Sequence, residues 1–191
     1  MKTITNYVEN EIIIKNSRFI ACIFNLEEKN IDNYLIEIKN KYPKATHYCY
    51  AYIYDDYKKV SDDGEPSSTA GQPLLNVLEK EQLNHILVIV VRYFGGIKLG
   101  AGGLVRAYTK SLTEALKLAQ YEILIKGYKV EINFNYDEEK NIQYILGKKI
   151  ILEKDYQSNI KYIVLVDENT LEKLKKYDLN IIQEQQIKEI N

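Results

Sequence analysis

The sequence predicts an α+β protein of two domains. Its 191 residues exceed the size of most single domains, which lies near about 100 to 150 residues. Helical and strand periodicities alternate along the chain, so helices and strands are mixed throughout. The pattern restarts at Gly127, which divides the chain into an amino-terminal domain (1–126) and a carboxy-terminal domain (127–191). Both domains should fold, because 46% hydrophobic residues with only 3 prolines are typical of globular chains.

The amino-terminal domain is predicted to be an α/β sandwich. Its clearest strand is Ile86–Val91, since six consecutive aliphatic residues are too few for a helix and typical of a strand covered on both faces. We therefore place this strand at the centre of the sheet. The predicted elements are, in chain order, strands at 11–14 and 18–24, a helix at 31–42, a strand at 48–54, a long loop at 55–73, a short helix at 74–78, the strand at 86–91 and a long helix at 104–119.

The carboxy-terminal domain has the element order β-α-β-β-α-β, which is that of a ferredoxin-like fold. It contains no His, Cys or Arg, so we expect the functional residues in the first domain. The predicted elements are strands at 130–134, 150–152 and 160–166, helices at 142–146 and 171–174, and a final strand near Ile181.

Composition excludes several classes of protein. The longest aliphatic run is far shorter than the roughly 20 residues that cross a bilayer, and Glu9 and Glu11 stand where an export signal would be apolar. Two cysteines, Cys22 and Cys49, are too few for a disulfide scaffold and match no metal-binding spacing. We therefore expect a cytoplasmic protein with no bound metal and no membrane association. The net charge of −1 means that any binding of polyanions depends on a local site.

Local anion binding is predicted for Val90–Tyr108, which contains five of the 9 glycines and two of the three arginines. A strand runs into a glycine loop and then into a helix, so the N–H groups at the helix start are free to bind a phosphate or a nucleic-acid backbone. The alternative is a tight turn in which glycine serves packing alone. The predicted anion- or nucleic-acid-binding residues are Arg92, Gly95, Gly96, Lys98, Gly100, Gly102, Gly103 and Arg106.

A second cluster, Ser61–Gly71, sets carboxylates beside hydroxyls in a turn-forming loop. The carboxylates could hold Mg²⁺ or supply a general base, while the hydroxyls contact phosphate or begin a helix. Alternatively, the same side chains form turns that satisfy their own backbone. The candidates are Asp62, Asp63 and Glu65 for catalysis, and Ser67, Ser68 and Thr69, together with His47, which precedes the strand at 48–54, for lining a pocket.

The predicted strand at 48–54 carries four alternating tyrosines, which therefore share one face. Such a row could stack RNA bases, or it could pack against a helix. His47 precedes the row and lies on the face of Cys49, where a structural histidine is the simpler interpretation.

Four stretches of the chain resemble the IMPACT/YigZ family, and together they cover most of residues 15–120. Two residues depart from the family pattern, Ser68 where glycine is usual and Tyr48 where asparagine is common. The matching stretches are Ser-Arg-Phe-Ile (17–20), Ala-Thr-His-Tyr-Cys-Tyr-Ala-Tyr (45–52), Asp-Gly-Glu-Pro-Ser-Ser-Thr-Ala-Gly (63–71) and Arg-Tyr-Phe-Gly-Gly-Ile-Lys-Leu-Gly-Ala-Gly-Gly-Leu-Val-Arg-Ala-Tyr (92–108).

The resemblance implies a first domain similar to the second domain of a small-subunit ribosomal protein, and a ferredoxin-like second domain similar to one in elongation factor G. It therefore implies a link to translation without naming a substrate. Our leading hypothesis is a non-enzymatic factor that binds RNA, the ribosome or a ribosome-linked protein through the glycine loop. The alternative is an enzyme or sensor that acts on a phosphorylated or nucleotide ligand, with carboxylates of the 62–65 loop as base or Mg²⁺ ligand.

Overall fold

A computed structural model describes residues 1–189 of the chain. Helices and strands are mixed throughout, which confirms the α+β prediction. The chain divides into two compact units, Met1–Glu122 and a second that begins at Ile123. No helix within residues 1–189 is both long enough and apolar enough to span a bilayer.

The first unit contains one five-stranded antiparallel sheet in the order β2-β3-β6-β4-β5, so the aliphatic strand β6 lies at its centre, as predicted. The elements of this unit are β1 (Lys2–Ile4), β2 (Val8–Ile14), β3 (Ser17–Asn25), α1 (Asp32–Lys41), β4 (His47–Tyr54), β5 (Tyr57–Ser61), α2 (Gly71–Lys80), β6 (Ile86–Tyr93) and α3 (Ala101–Leu116).

The sheet is covered on both faces. Residues Ile86–Val91 of β6 are all completely buried. Alternate side chains of this strand pack with α2 and α3 on one face and with α1 on the other. A strand with no exposed face cannot show polar alternation, which explains the continuous aliphatic run. The first unit is therefore a three-layer sandwich.

The predicted loop at 55–73 contains a strand, β5, that the sequence pattern did not indicate. This strand is the edge of the sheet, joined to β4 by the two-residue turn Asp55–Asp56, and most of its side chains are exposed. An edge strand that carries Lys58 and Lys59 has no apolar alternation to detect, and its charges protect the open edge from pairing with another chain.

The second unit has the predicted β-α-β-β-α-β order, and its four strands form an antiparallel sheet in the order β8-β9-β7-β10. Its hydrophobic core contains residues of the sheet and of both helices. The elements are β7 (Tyr121–Phe134), α4 (Glu139–Leu146), β8 (Ile150–Tyr156), β9 (Ile160–Asp167), α5 (Glu168–Leu174) and β10 (Asp178–Lys188).

Strand β7 begins well before the predicted start at 130, so residue 126 and Gly127 lie inside a strand. A Cβ built on Gly127 would lie 2.4 Å from the side chain of Ile187 on β10. Glycine is thus required here by the close approach of a neighbouring strand, although in the sequence it has the appearance of a linker residue.

Two glycines of the 90–108 segment should respond oppositely to alanine. A Cβ on Gly95 would lie 2.0 Å from a backbone atom of Asn16, whereas a Cβ on Gly102, in the first turn of α3, would lie 3.7 Å from the tip of Arg106. We expect Gly95→Ala to lower the free energy of unfolding by about 1–3 kcal/mol or more. Gly102→Ala should leave it unchanged or raise it by up to about 1 kcal/mol. Urea unfolding measures both, and equal midpoints would contradict this packing.

Candidate functional site

A cavity of about 450 Å³ opens where β6 ends and α3 begins. Strand pairing places His47, at the start of β4, opposite Arg92, near the end of β6. Glu65 reaches the cavity from the loop before α2, and Lys98 from the glycine loop. The structure therefore brings together residues from both sequence motifs.

The floor of the cavity is a buried ion pair between Glu65 and Arg92. Nη1 of Arg92 donates to Oε1 of Glu65 at 2.5 Å, and the two side chains are 6% and 3% exposed. The hydroxyl of Tyr108, on α3, donates to the same oxygen at 2.7 Å. The guanidinium also lies 5.3 Å from the ring of Phe19 and 5.5 Å from that of Phe94. The charge of Arg92 is thus largely compensated inside the protein.

Burial keeps two neighbouring groups protonated. Burial, reinforced by the nearby Cys49 and Glu65, raises the pKa of Tyr108 far above its ordinary value, so its hydroxyl remains a donor to Glu65. Burial likewise raises the pKa of Cys49 to about 12. The sulfur of Cys49 lies 2.9 Å from the carbonyl oxygen of Asp62 and 3.3 Å from the Tyr108 hydroxyl. Cys49 is therefore an inert part of this hydrogen-bond network.

His47 presents a nitrogen to the same cavity. Its Nδ1 lies 2.8 Å from the carbonyl oxygen of Asp63. A carbonyl can only accept, so we assign the ring proton to Nδ1. In the neutral ring Nε2 is then an acceptor, and it lies 3.8 Å from Oε2 of Glu65, beyond hydrogen-bond distance. The cavity floor therefore offers two acceptor atoms to a ligand.

The other two candidate carboxylates hold the loop in place. The side chain of Asp62 accepts three backbone N–H groups at the start of α2, and that of Asp63 accepts the N–H of Tyr48 at 2.6 Å. These bonds fix the loop to the helix and to β4. The three donors to Asp62 are Ser68, Ala70 and Gly71, at 2.8, 3.0 and 2.9 Å.

The hydroxyl residues of this loop do not reach the cavity. Ser67 and Ser68 are exposed, and Ser68 has a positive φ of 60°, a conformation that suits the glycine usual in the family. The hydroxyl of Thr69 donates to the carbonyl of Pro66 at 2.6 Å. Within residues 1–189, no three His, Cys, Asp or Glu side chains are grouped so that they could hold a metal ion.

The glycine loop leads into the free end of α3. The first hydrogen bond of the helix runs from the N–H of Leu104 to the carbonyl of Gly100 at 2.9 Å. The N–H groups of residues 101–103 consequently have no partner within the helix. Gly100, with a φ of +69°, and Ala101 line the cavity, and Lys98 is exposed at its rim. Gly95 has a structural role, since its N–H donates to Ser17 Oγ at 3.1 Å.

Arg106 lies in a different cavity, of about 280 Å³, on the other side of Leu99, which lines both. Its basic neighbours there are Lys15 and Lys110. The predicted cluster is thus divided: Arg92 and Lys98 share one cavity, and Arg106 lines the other. Lys15, in the turn between β2 and β3, gives no sequence signal, because only the fold brings it to α3.

Two residues at the main site are absent from the predicted set. Tyr108 has the helical spacing of a core residue, and it is indeed completely buried, so no pattern reveals its hydroxyl as a partner of Glu65. Phe94 did give a signal: it is an aromatic residue between the strand and the glycines, and it is 46% exposed beside the cavity.

The tyrosines of β4 pack with α1. They belong to the hydrophobic cluster on that face of the sheet, and Tyr52 is buried. The hydroxyls of Tyr48 and Tyr54 donate to the backbone carbonyls of Tyr42 and Glu27, at 2.6 and 2.8 Å. Of the two interpretations offered by the sequence, packing is the one that the structure shows.

The buried ion pair predicts a specific pattern of stability. Arg92→Met should lower the free energy of unfolding by about 3–5 kcal/mol, because it leaves the Glu65 carboxylate buried without its partner. Adding Glu65→Gln should recover part of that loss, and Lys98→Ala, at an exposed residue, should change stability by less than about 0.5 kcal/mol. A double-mutant cycle from urea unfolding gives the coupling. Additive losses would contradict the pairing.

The two thiols should be unreactive in the folded protein. Burial raises the pKa of both Cys22 and Cys49 to about 12, so at pH 8 almost no thiolate is present at either site. We expect labelling by a thiol reagent to be slow in buffer and rapid in urea, with a small free thiol as the reference for full reactivity. Rapid labelling of either cysteine before unfolding would show that its surroundings are open.

Comparison with known proteins places these features in a family. Residues 15–116 match the Impact N-terminal domain, a range that contains every cavity residue named above. An IMPACT family member from Haemophilus influenzae is 38% identical, over 83% of this chain and 81% of that protein. YvyE from Bacillus subtilis is 48% identical, over 60% and 54% of the two chains. YigZ from Escherichia coli is 34% identical, over 76% and 75%.

A solved structure described as that of a hypothetical protein has a similar fold throughout. The two structures superpose with a TM-score of 0.72 at 29% sequence identity. The superposition covers 95% of this chain and 97% of the solved chain. The similarity therefore extends beyond the matched domain into the second unit. The chain belongs to the IMPACT/YigZ family, as its four sequence stretches predicted.

Proposed function

We propose that the chain is a cytoplasmic, non-enzymatic, translation-associated factor that binds RNA, the ribosome or a ribosome-linked partner. The binding surface would be the two adjacent cavities at the start of α3. Family membership supports the proposal only in general terms, and the observation that carries it is the distribution of charge around these cavities.

Four cations line the two cavities. None of them forms an ion pair with another residue in the described part of the chain. Among the residues that line either cavity, Glu65 is the sole acid, and it is paired with Arg92. A protein of net charge −1 thus has a locally positive surface at these cavities, which suits a phosphate backbone. The four cations are Lys15, Lys98, Arg106 and Lys110.

A second candidate function, an enzyme or sensor for a phosphorylated ligand, is favoured by a different observation. Glu65 Oε2 and His47 Nε2 both belong to the cavity at the start of α3. A polar ligand there could donate to these two atoms and accept from the free N–H groups of the helix start. Any general base would then be Glu65 or His47, because Asp62 and Asp63 accept backbone N–H groups instead. The proposed binding role itself requires no cofactor.

The primary test is co-sedimentation with ribosomes and with naked RNA over a series of salt concentrations. We expect Lys98→Ala and Arg106→Ala each to weaken binding and to reduce the slope of log K against log salt by about one, the contribution of one phosphate contact. Lys59→Ala is the matched control, because it removes the same charge from the exposed edge strand β5.

The possible outcomes test the proposed surface and the proposed function separately. Equal slopes for the three variants and the unaltered protein would contradict the proposed surface. Failure to sediment with ribosomes or RNA at low salt, by protein that circular dichroism shows to be folded, would contradict the function and favour the second candidate, which a panel of phosphorylated metabolites then tests.

A further inference from the structure

The cavity between Phe94 and the start of α3 has three chemically different regions. From them we infer that it binds one nucleotide unit, with the phosphate at the helix start, a ribose hydroxyl at the Glu65 end and the base against Phe94. Where the nucleotide is part of an RNA, this inference rests on the proposed function. It adds to that function the chemical group that this cavity recognises.

The phosphate region combines the free N–H groups at the start of α3 with Lys98. Backbone amides and an ammonium together suit a phosphate. An independent observation points to a ligand in the same cavity: the side chain of Glu65 lines it and is 3% exposed, yet its Oε2 accepts no hydrogen bond within residues 1–189. A buried acceptor without a donor is costly, and a donor group of a ligand in the cavity would satisfy it.

The acceptor region is formed by Oε2 of Glu65 and Nε2 of His47. The two atoms are 3.8 Å apart and do not bond each other, so each can accept from a ligand. The Glu65 carboxylate would repel a second phosphate, which places the ligand's anionic end at α3 and a neutral donor here. The hydroxyls of a ribose are donors of this kind.

The third region is apolar. Pro66, Leu99 and Leu104 line it with Phe94, whose ring is 46% exposed and has the Arg92 guanidinium 5.5 Å away on one side. An exposed aromatic ring at a cavity mouth is a stacking surface for a base, and such stacking tolerates any base. The volume, about 450 Å³, is within the range of small-molecule sites. A nucleotide carries a phosphate, hydroxyls and a planar ring together, in the order that the three regions require.

Leu99 separates this cavity from the one that holds Arg106, Lys15 and Lys110. An RNA whose 3′-terminal nucleotide lies in the first cavity would therefore keep its ribose hydroxyls free at the Glu65 end and place its preceding phosphate near the second cavity. The first cavity supplies contacts to the nucleotide, whereas the second supplies charge alone.

Calorimetry with adenosine monophosphate, inorganic phosphate and adenosine tests the assignment on the full chain. We expect adenosine monophosphate to bind more tightly than either fragment. Phe94→Ala should weaken its binding roughly tenfold and leave phosphate binding unchanged, since it removes stacking alone. Lys98→Ala should weaken both, and Lys110→Ala, in the second cavity, should weaken neither. All three residues are exposed or partly exposed, so the variants should fold.

The 2′,3′-dideoxy analogue of the nucleotide should also bind roughly tenfold less tightly, because it offers no ribose hydroxyl.

The inference would be overturned by phosphate binding as tight as nucleotide binding, or by no effect of Phe94→Ala on nucleotide binding. RNA binding that persists without any nucleotide binding at millimolar concentration would also overturn it, while leaving the proposed function intact. Nucleotide binding without RNA or ribosome binding would instead contradict the proposed function and keep the cavity assignment.

Discussion

The ion pair between Glu65 and Arg92 is the constraint on which the rest of the first unit's site depends. Two charges removed from water are costly unless each is met by partners in good geometry. Here the partners come from three elements: Arg92 near the end of β6, Glu65 in the loop before α2 and Tyr108 on α3. Meeting this requirement fixes the distance between the sheet, the loop and the helix, and the cavity is the space that remains above them.

The ion pair also explains why arginine stands at position 92 in a chain that otherwise uses lysine. The guanidinium bonds Glu65 through Nη1, approaches the hydroxyl of Ser17 to 3.5 Å through Nη2 and lies near the rings of Phe19 and Phe94. A lysine ammonium has neither the planar surface nor the divergent donors for these contacts. The sequence predicts that Arg92 supplies charge to an anion site. In the structure its Nη1 and Nη2 bond within the protein, and its enclosed Nε has no partner within residues 1–189.

How far the sequence predicts this structure depends on whether a feature is local. Strand β6 and helix α3 follow from their own hydrophobic patterns, and the order of elements in the second unit follows in the same way. Strand β5 is not predicted, because an exposed edge strand needs no alternation of apolar and polar residues. The pairing of Glu65 with Arg92 joins residues 27 positions apart, and neither side chain carries any sign of its partner. The motifs thus predict where the site lies, whereas the role of each residue follows only from packing.

Compensation of the Arg92 charge limits what the first cavity can do alone. Its remaining attraction for an anion comes from Lys98 and the amides that begin α3, and the Glu65 carboxylate opposes a ligand with several charges. Affinity for one phosphate should therefore be modest. On the proposed function, a longer polyanion would gain further contacts at Lys15, Arg106 and Lys110, each of which would release counterions. Selectivity and affinity would then reside in adjacent cavities, so salt should weaken the attachment of a long polyanion more than the recognition of its single bound unit.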